Sequence, residues 1–126
     1  IIFNGHTYQK LFFNDLSQAK HSVVISATRL WLSKHSPILD MLKELSARGV
    51  EVFALVKNNT EKEERLKETG IRTKVIDSLS MDAVIIDKSL IWYGSVNYLG
   101  YNTDENNAIR ISDSKVADQI LEVLYT

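Results

Sequence analysis

Ser80-Met81-Asp82-Ala83-Val84-Ile85-Ile86-Asp87-Lys88-Ser89-Leu90-Ile91-Trp92-Tyr93-Gly94-Ser95-Val96-Asn97 is the stretch that decides the fold. Two apolar runs, at 83–86 and 90–93, flank Asp87-Lys88-Ser89. Runs of this kind around a short polar break predict a β-hairpin with a tight connection. Gly94 closes the second run, where a glycine lets another backbone or a ligand approach closely. Ser95 and Asn97 are two residues apart, so on an extended backbone they project to one face. A hydroxyl and a carboxamide side by side can bind an anionic oxygen. Taken alone, Gly-Ser-x-Asn also describes an ordinary turn.

Upstream of the hairpin, strands alternate with helices. Tyr8, Leu11, Phe12, Leu16 and Ala19 recur at helical spacing and predict an amphipathic helix over 7–20. Residues 22–27 read as a short buried strand. Ser36-Pro37 marks a helix start, with serine as the cap and proline in the first turn. Ile38, Met41, Leu42 and Leu45 form its buried stripe, and Gly49 supplies the left-handed stop. Residues 50–56 are the next strand. Thr60 and Glu63 have capping-box spacing, and the helix over 61–69 has Leu66 as its only large apolar residue, so it is expected on the surface. Gly70 closes it. Residues 71–76 alternate as a half-exposed strand does. After the hairpin come a strand at 108–111 and a last helix, capped by Ser112 or Asp113, that carries Val116, Ile120, Leu121 and Leu124. Early strand–helix–strand alternation with a late hairpin implies an α/β fold, a mixed β-sheet flanked by helices on both faces.

The chain has 126 residues, enough for one domain with one core over 1–126. With 44% hydrophobic and 25% charged residues it has an ordinary globular balance. The absence of cysteine excludes disulfides, thiolate metal sites and a cysteine nucleophile. No apolar run approaches the roughly 20 residues of a membrane span, so no membrane partner is expected; the lack of cysteine favours a cytoplasmic location. The chain opens on Ile1-Ile2-Phe3 without methionine, which leads us to expect a fragment of a longer protein. The net charge is −1, so nothing draws nucleic acid to the molecule as a whole. Residues 1–50 nonetheless hold Lys10, Lys20, Arg29, Lys34, Lys43 and Arg48 against only Asp15, Asp40 and Glu44.

A strand, an aspartate, a tight hairpin, an aromatic strand and Gly-Ser-x-Asn together resemble the second half of the phospholipase D-like signature. That signature runs His-x-Lys, four residues, Asp, then Gly-Ser-x-Asn after a hairpin. Asp87 matches the aspartate, and Gly94, Ser95 and Asn97 match the later motif. The upstream elements are similar too, from Asp15-Leu16 through Ala47-Arg48-Gly49-Val50 to Gly70-Ile71, so the resemblance covers nearly the whole chain. It implies the phospholipase D-like fold. In the family, a histidine attacks phosphorus while lysine and asparagine hold the phosphoryl oxygens. Counting back from Asp87 puts Ser80 at the histidine position and Asp82 at the lysine position. Serine is a poor nucleophile without a nearby base. A carboxylate where a phosphate belongs repels it. His6, His21 and His35 lie elsewhere. Ser80, Asp82 and Asp87 are therefore expected to be vestigial, with no catalytic residue among them. The family's acidic residue after Gly-Ser-x-Asn has Glu105, beside Asn106, as its counterpart; a plain polar loop is the competing reading.

The aromatic segment from Trp92 to Tyr101 is similar to that of phospholipase D-like modules appended to DNA or RNA helicases and restriction-type proteins, and aromatics near a backbone-binding groove can stack on bases. Trp92 is expected in the core, with Tyr93 and Tyr98 at its edge; for Tyr98 and Tyr101 both readings stay open. Arg29, Lys34 and His35 sit beside Trp31 in the connection after the first strand, where α/β folds place ligands, although a solvated loop is the favoured reading of them. No histidines are spaced as a metal pair, no glycine loop cradles a phosphate, and no cofactor is expected. The favoured function is a catalytically impaired module that binds a DNA, RNA or phosphate backbone through Ser95, Asn97, Arg29, Glu105 and Asn106, or a scaffold within a helicase-like parent protein. The alternatives are an active phosphodiesterase or nuclease working as a homodimer and a structural dimerisation domain.

Overall fold

The computed structural model describes residues 2–32, 35–57 and 60–125, with the helix but not the side chains over 60–63. Its strands are β1 (Ile2–Asn4), β2 (Ser22–Ala27), β3 (Glu51–Val56), β4 (Arg72–Val75), β5 (Asp82–Ile86), β6 (Leu90–Gly94) and β7 (Asn107–Ser112). The helices are α1 (Gln9–Ser17), α2 (Pro37–Ala47), α3 (Thr60–Lys67) and α4 (Ser114–Tyr125). One mixed sheet runs in the order β1-β7-β6-β5-β2-β3-β4. β2, β3 and β4 are parallel neighbours, and every pairing on the other side of β2 is antiparallel. The expected α/β fold, with helices on both faces, is the fold observed.

Strand alternation divides the core in two. Val23, Ile25, Ala27, Val52, Ala54, Val84, Ile86 and Trp92 pack under α1, α2 and Leu66. Val24, Leu55, Ala83, Ile85 and Ile91 pack under Ala117 and Leu124 of α4. Leu66 is 0% exposed. The expectation that α3 lies on the surface therefore holds for a helix that plugs one leucine into the core.

Local signals placed most boundaries. Ser36 caps α2 by accepting the Leu39 N–H, with Pro37 in the first turn. Gly49 and Gly70 take positive φ after α2 and α3. Asp113, rather than Ser112, caps α4 by accepting the N–H groups of Lys115 and Val116. The Thr60–Glu63 capping box and Lys34 lie outside the described residues. Two expectations needed correction. β1 was not foreseen, and α1 spans nine residues instead of 7–20. At its start, Asn4 Oδ1 accepts the N–H groups of His6 and Thr7, which makes a turn where helix was expected.

The hairpin turns on Asp87 and Lys88, with φ of 53° and 57°. The Ser89 N–H closes the turn onto the Ile86 carbonyl. The Asp87 carboxylate accepts the N–H groups of Lys20, His21 and Ser22, so the hairpin tip holds the start of β2.

Candidate phosphate-binding site

β2 and β3 are parallel and in register from Ser22–Glu51 to Ala27–Val56, so both carboxyl ends lie at one end of the sheet. Asp82 opens β5 there, Gly94 ends β6 and Asn107 opens β7. The crevice beyond the carboxyl ends of parallel strands is where α/β sheets bind ligands. A cavity of about 750 Å³ occupies it, lined among others by Thr28, Arg29, Lys57, Asn97, Thr103 and Asn106. Trp31 and Tyr101, 65% and 72% exposed, complete its aromatic wall. Among the described residues, neither Arg29 nor Lys57 has a carboxylate within ion-pair distance.

The walls are held rigidly. Asn97 is 6% exposed and donates its side-chain Nδ2–H to the Arg29 carbonyl at 2.7 Å. Its Oδ1 accepts the Leu99 N–H. The Trp31 N–H donates to the Leu99 carbonyl. The segment after β2 is thereby stitched to the loop after β6. Asn102 fixes that loop by accepting the Asn97 N–H and donating back to the Asn97 carbonyl. Asn106 accepts the Thr103 N–H and donates to the Ser95 carbonyl, while Ser95 Oγ accepts the Asn107 N–H.

Asp82 stands behind Thr28. Its carboxylate accepts the Thr28 N–H at 2.8 Å and the Thr28 hydroxyl at 3.1 Å. Burial pushes the Asp82 carboxyl above its ordinary range, against the Thr28 bonds and the Arg29 charge that pull it down.

The sequence-derived candidates fall into two groups. Arg29, Asn97 and Asn106 line the cavity, with Asp82 and Ser95 one contact away. Ser80 is exposed and lines a shallow pocket against Val123 and Leu124 of α4. Glu105 is exposed and is absent from the lining. Asp87 sits at the opposite end of the sheet, on the residues that open β2. There burial pushes its carboxyl up, but the three N–H donors outweigh that and hold it below its ordinary range. None of His6, His21 and His35 lines the cavity. His6 pairs with Asp104 at 3.1 Å on the surface. Trp92 is fully buried, as expected, and donates its indole N–H to Asp15. Of the two tyrosines left open, Tyr98 joins the core beside Tyr8 and Phe12, and Tyr101 stays at the cavity mouth. Lys57 and Thr28 were missed. The available signal was positional: each follows one strand of an adjacent parallel pair.

A family profile, that of the cardiolipin synthase PLD-like domain, matches residues 12–125. The chain belongs to the PLD-like domain family. Nuc from Salmonella typhimurium, a phospholipase D family member, superposes on this PLD-like chain with a TM-score of 0.79 at 20% identity, over 98% of the chain and 88% of Nuc. NucT from Helicobacter pylori gives 0.73 at 17%, over 99% and 92%. TrmBL2, an archaeal chromatin protein with a novel mode of DNA binding, gives 0.71 at 15%, over 99% of the chain and 50% of TrmBL2. In sequence, the chain is 26% identical over 98 residues to replicase polyprotein 1ab of lactate dehydrogenase elevating virus (strain Plagemann). That match takes in 75% of the PLD-like chain and 3% of the polyprotein's length. Among the described residues no helix is long and apolar enough to cross a membrane.

Proposed function

We propose that this PLD-like chain binds the phosphate backbone of DNA or RNA, without the family's histidine chemistry, as a cytoplasmic module of a larger, helicase-like protein. The carrying observation is the cavity at the end of β2 and β3, where Arg29 and Lys57 stand without carboxylate partners among the described residues. Thr28, Thr103 and the Asn97 and Asn106 amides add polar lining. TrmBL2, half of which matches this fold, is a chromatin protein described as binding DNA, which supports nucleic acid as the ligand. The match inside a replicase polyprotein supports a larger parent.

Binding is favoured over turnover by the side chains around the cavity. No histidine lines it, and the lysine position of the signature carries the Asp82 carboxylate. Fluorescence anisotropy with labelled single- and double-stranded DNA and RNA tests the reading. Binding should weaken with salt at a slope set by about two phosphate contacts. Arg29→Ala and Lys57→Ala should each flatten that slope by about 0.7 to 0.9. No binding to any of these polymers at low salt would remove the proposal. Metal-free hydrolysis of bis-p-nitrophenyl phosphate that is lost in Asn97→Ala would instead establish an enzyme.

A further inference from the structure

A second cavity of about 650 Å³ adjoins the first and shares Trp31 with it as a common wall. Its character is different. Tyr8, Phe12, Phe13, Trp31 and Tyr98 supply five aromatic rings, and Gln9 stands at its rim. Tyr8, Phe12 and Tyr98 pack edge-on or tilted against one another, with centroids 5.1 to 5.8 Å apart, which makes a rigid floor. Among the described residues the Tyr98 hydroxyl has no hydrogen-bond partner, and it is sealed from solvent, behind the ring face that lines the cavity.

We propose that this aromatic cavity receives one unstacked base of a single-stranded nucleic acid whose neighbouring phosphate lies on Arg29 and Lys57. This rests on the phosphate reading of the first cavity and adds to it the form of the polymer. Three observations converge. The two cavities meet at one exposed indole, which gives a base a ring face to stack on beside the cations. The inner wall is built of aromatic rings, which suits a flat heterocycle better than an acyl chain. The Trp31 backbone is fixed by its N–H bond to the Leu99 carbonyl, so the indole hangs from an ordered segment. A base paired within a duplex is already stacked on its neighbours and does not reach such a cavity.

The test compares an oligothymidylate of about twelve residues with an abasic deoxyribose-phosphate oligomer of the same length and with a short duplex. The intact strand should bind about tenfold or more tighter than the abasic strand, the scale of one base–aromatic stack. Trp31→Ala should erase that difference and leave the salt slope unchanged, while Trp31→Phe should restore most of it. Trp31 is exposed, so neither substitution burdens the core. Trp92, fully buried, serves as an internal reference when Trp31 emission is quenched by the bound base. Equal, salt-dependent binding of intact and abasic strands would overturn the base cavity and leave the phosphate reading standing. Tighter binding of the duplex would do the same. Absence of binding by all three polymers would overturn both. Binding to anionic phosphatidylglycerol vesicles in preference to the oligomers would replace the base with a lipid.

Discussion

The Asp82 carboxylate accepts both the N–H and the hydroxyl of Thr28, a residue of the cavity wall. That bond places a negative charge behind a site proposed to hold phosphate. Asp82→Asn keeps an acceptor for the Thr28 N–H and removes the charge. It should tighten phosphate-polymer binding at neutral pH roughly fivefold, or about 1 kcal/mol. The sign of the pH effect follows from burial. The fold raises the Asp82 pKa, so the carboxyl's contribution to stability is full below its unfolded value of 3.8 and is lost as pH rises through the folded value. Acidification through that window should therefore tighten binding in the parent chain and leave Asp82→Asn flat by comparison. Identical pH profiles for the two proteins would show that Asp82 does not reach the bound phosphate.

Asp87 works at the other end of β5. Three consecutive N–H groups, of Lys20, His21 and Ser22, converge on its carboxylate. Its backbone also sits at φ 53°, which aspartate, asparagine and glycine tolerate better than alanine. Asp87→Ala should cost about 1–3 kcal/mol in urea unfolding, and Asp87→Asn should cost less. Because its folded pKa is lowered, the contribution is present above the unfolded value of 3.8 and is lost as pH falls through the folded value. Polymer affinity measured on the folded variant should not change. A selective loss of binding without a loss of stability would contradict this placement.

What the sequence made legible tracks how local the cause is. The hairpin, the Ser36-Pro37 helix start and the stops at Gly49 and Gly70 are written in neighbouring residues, and each appeared where expected. β1 was invisible because its three residues become a strand only by pairing Ile2, Phe3 and Asn4 with Ile109, Ala108 and Asn107. The start of α1 was lost to a local turn at Asn4. At its other end the cause is distant: Asp87, more than sixty positions away, captures the N–H of Lys20, the last residue of the expected helix. In the site, Arg29 and Asn97 were readable from a loop position and a motif. The bond between them was not, since it joins a side chain to a carbonyl across 68 residues. Lys57 carries no motif and becomes a candidate only once β2 and β3 are known to be parallel neighbours.

The glycine of Gly-Ser-x-Asn is required by the fold. Gly94 has φ of 151°, and a Cβ there would collide with the Asn107 backbone carbonyl. That carbonyl cannot withdraw, because it accepts the N–H groups of Ser95 and Val96. Gly94→Ala should destabilise the chain by about 3 kcal/mol through strain and overpacking. It should also loosen the Ser95–Asn107 contact at the cavity rim, which amide hydrogen exchange at Asn107 would report. Wild-type melting behaviour in this variant would mean that the strands separate there at little cost.

Asp15 ties α1 to the sheet through two partners at once. Its carboxylate accepts the Trp92 indole N–H at 2.9 Å and both Nε and Nη2 of Arg110, at 2.7 and 3.1 Å. Asp15 is buried and Trp92 is fully so, and Arg110 is partly shielded. Asp15→Ala would leave an indole N–H and a guanidinium without their acceptor, a change that should cost about 2–4 kcal/mol. Asp15→Asn keeps one acceptor and should fall between. Trp92 emission should shift as its N–H loses the carboxylate, while Trp31 at the cavity should be unaffected, and Trp31→Phe isolates the Trp92 signal. If Asp15→Ala and Arg110→Ala each cost the same as the double variant, the pair acts as one unit. Additive costs would show instead that Trp92 is the partner that matters.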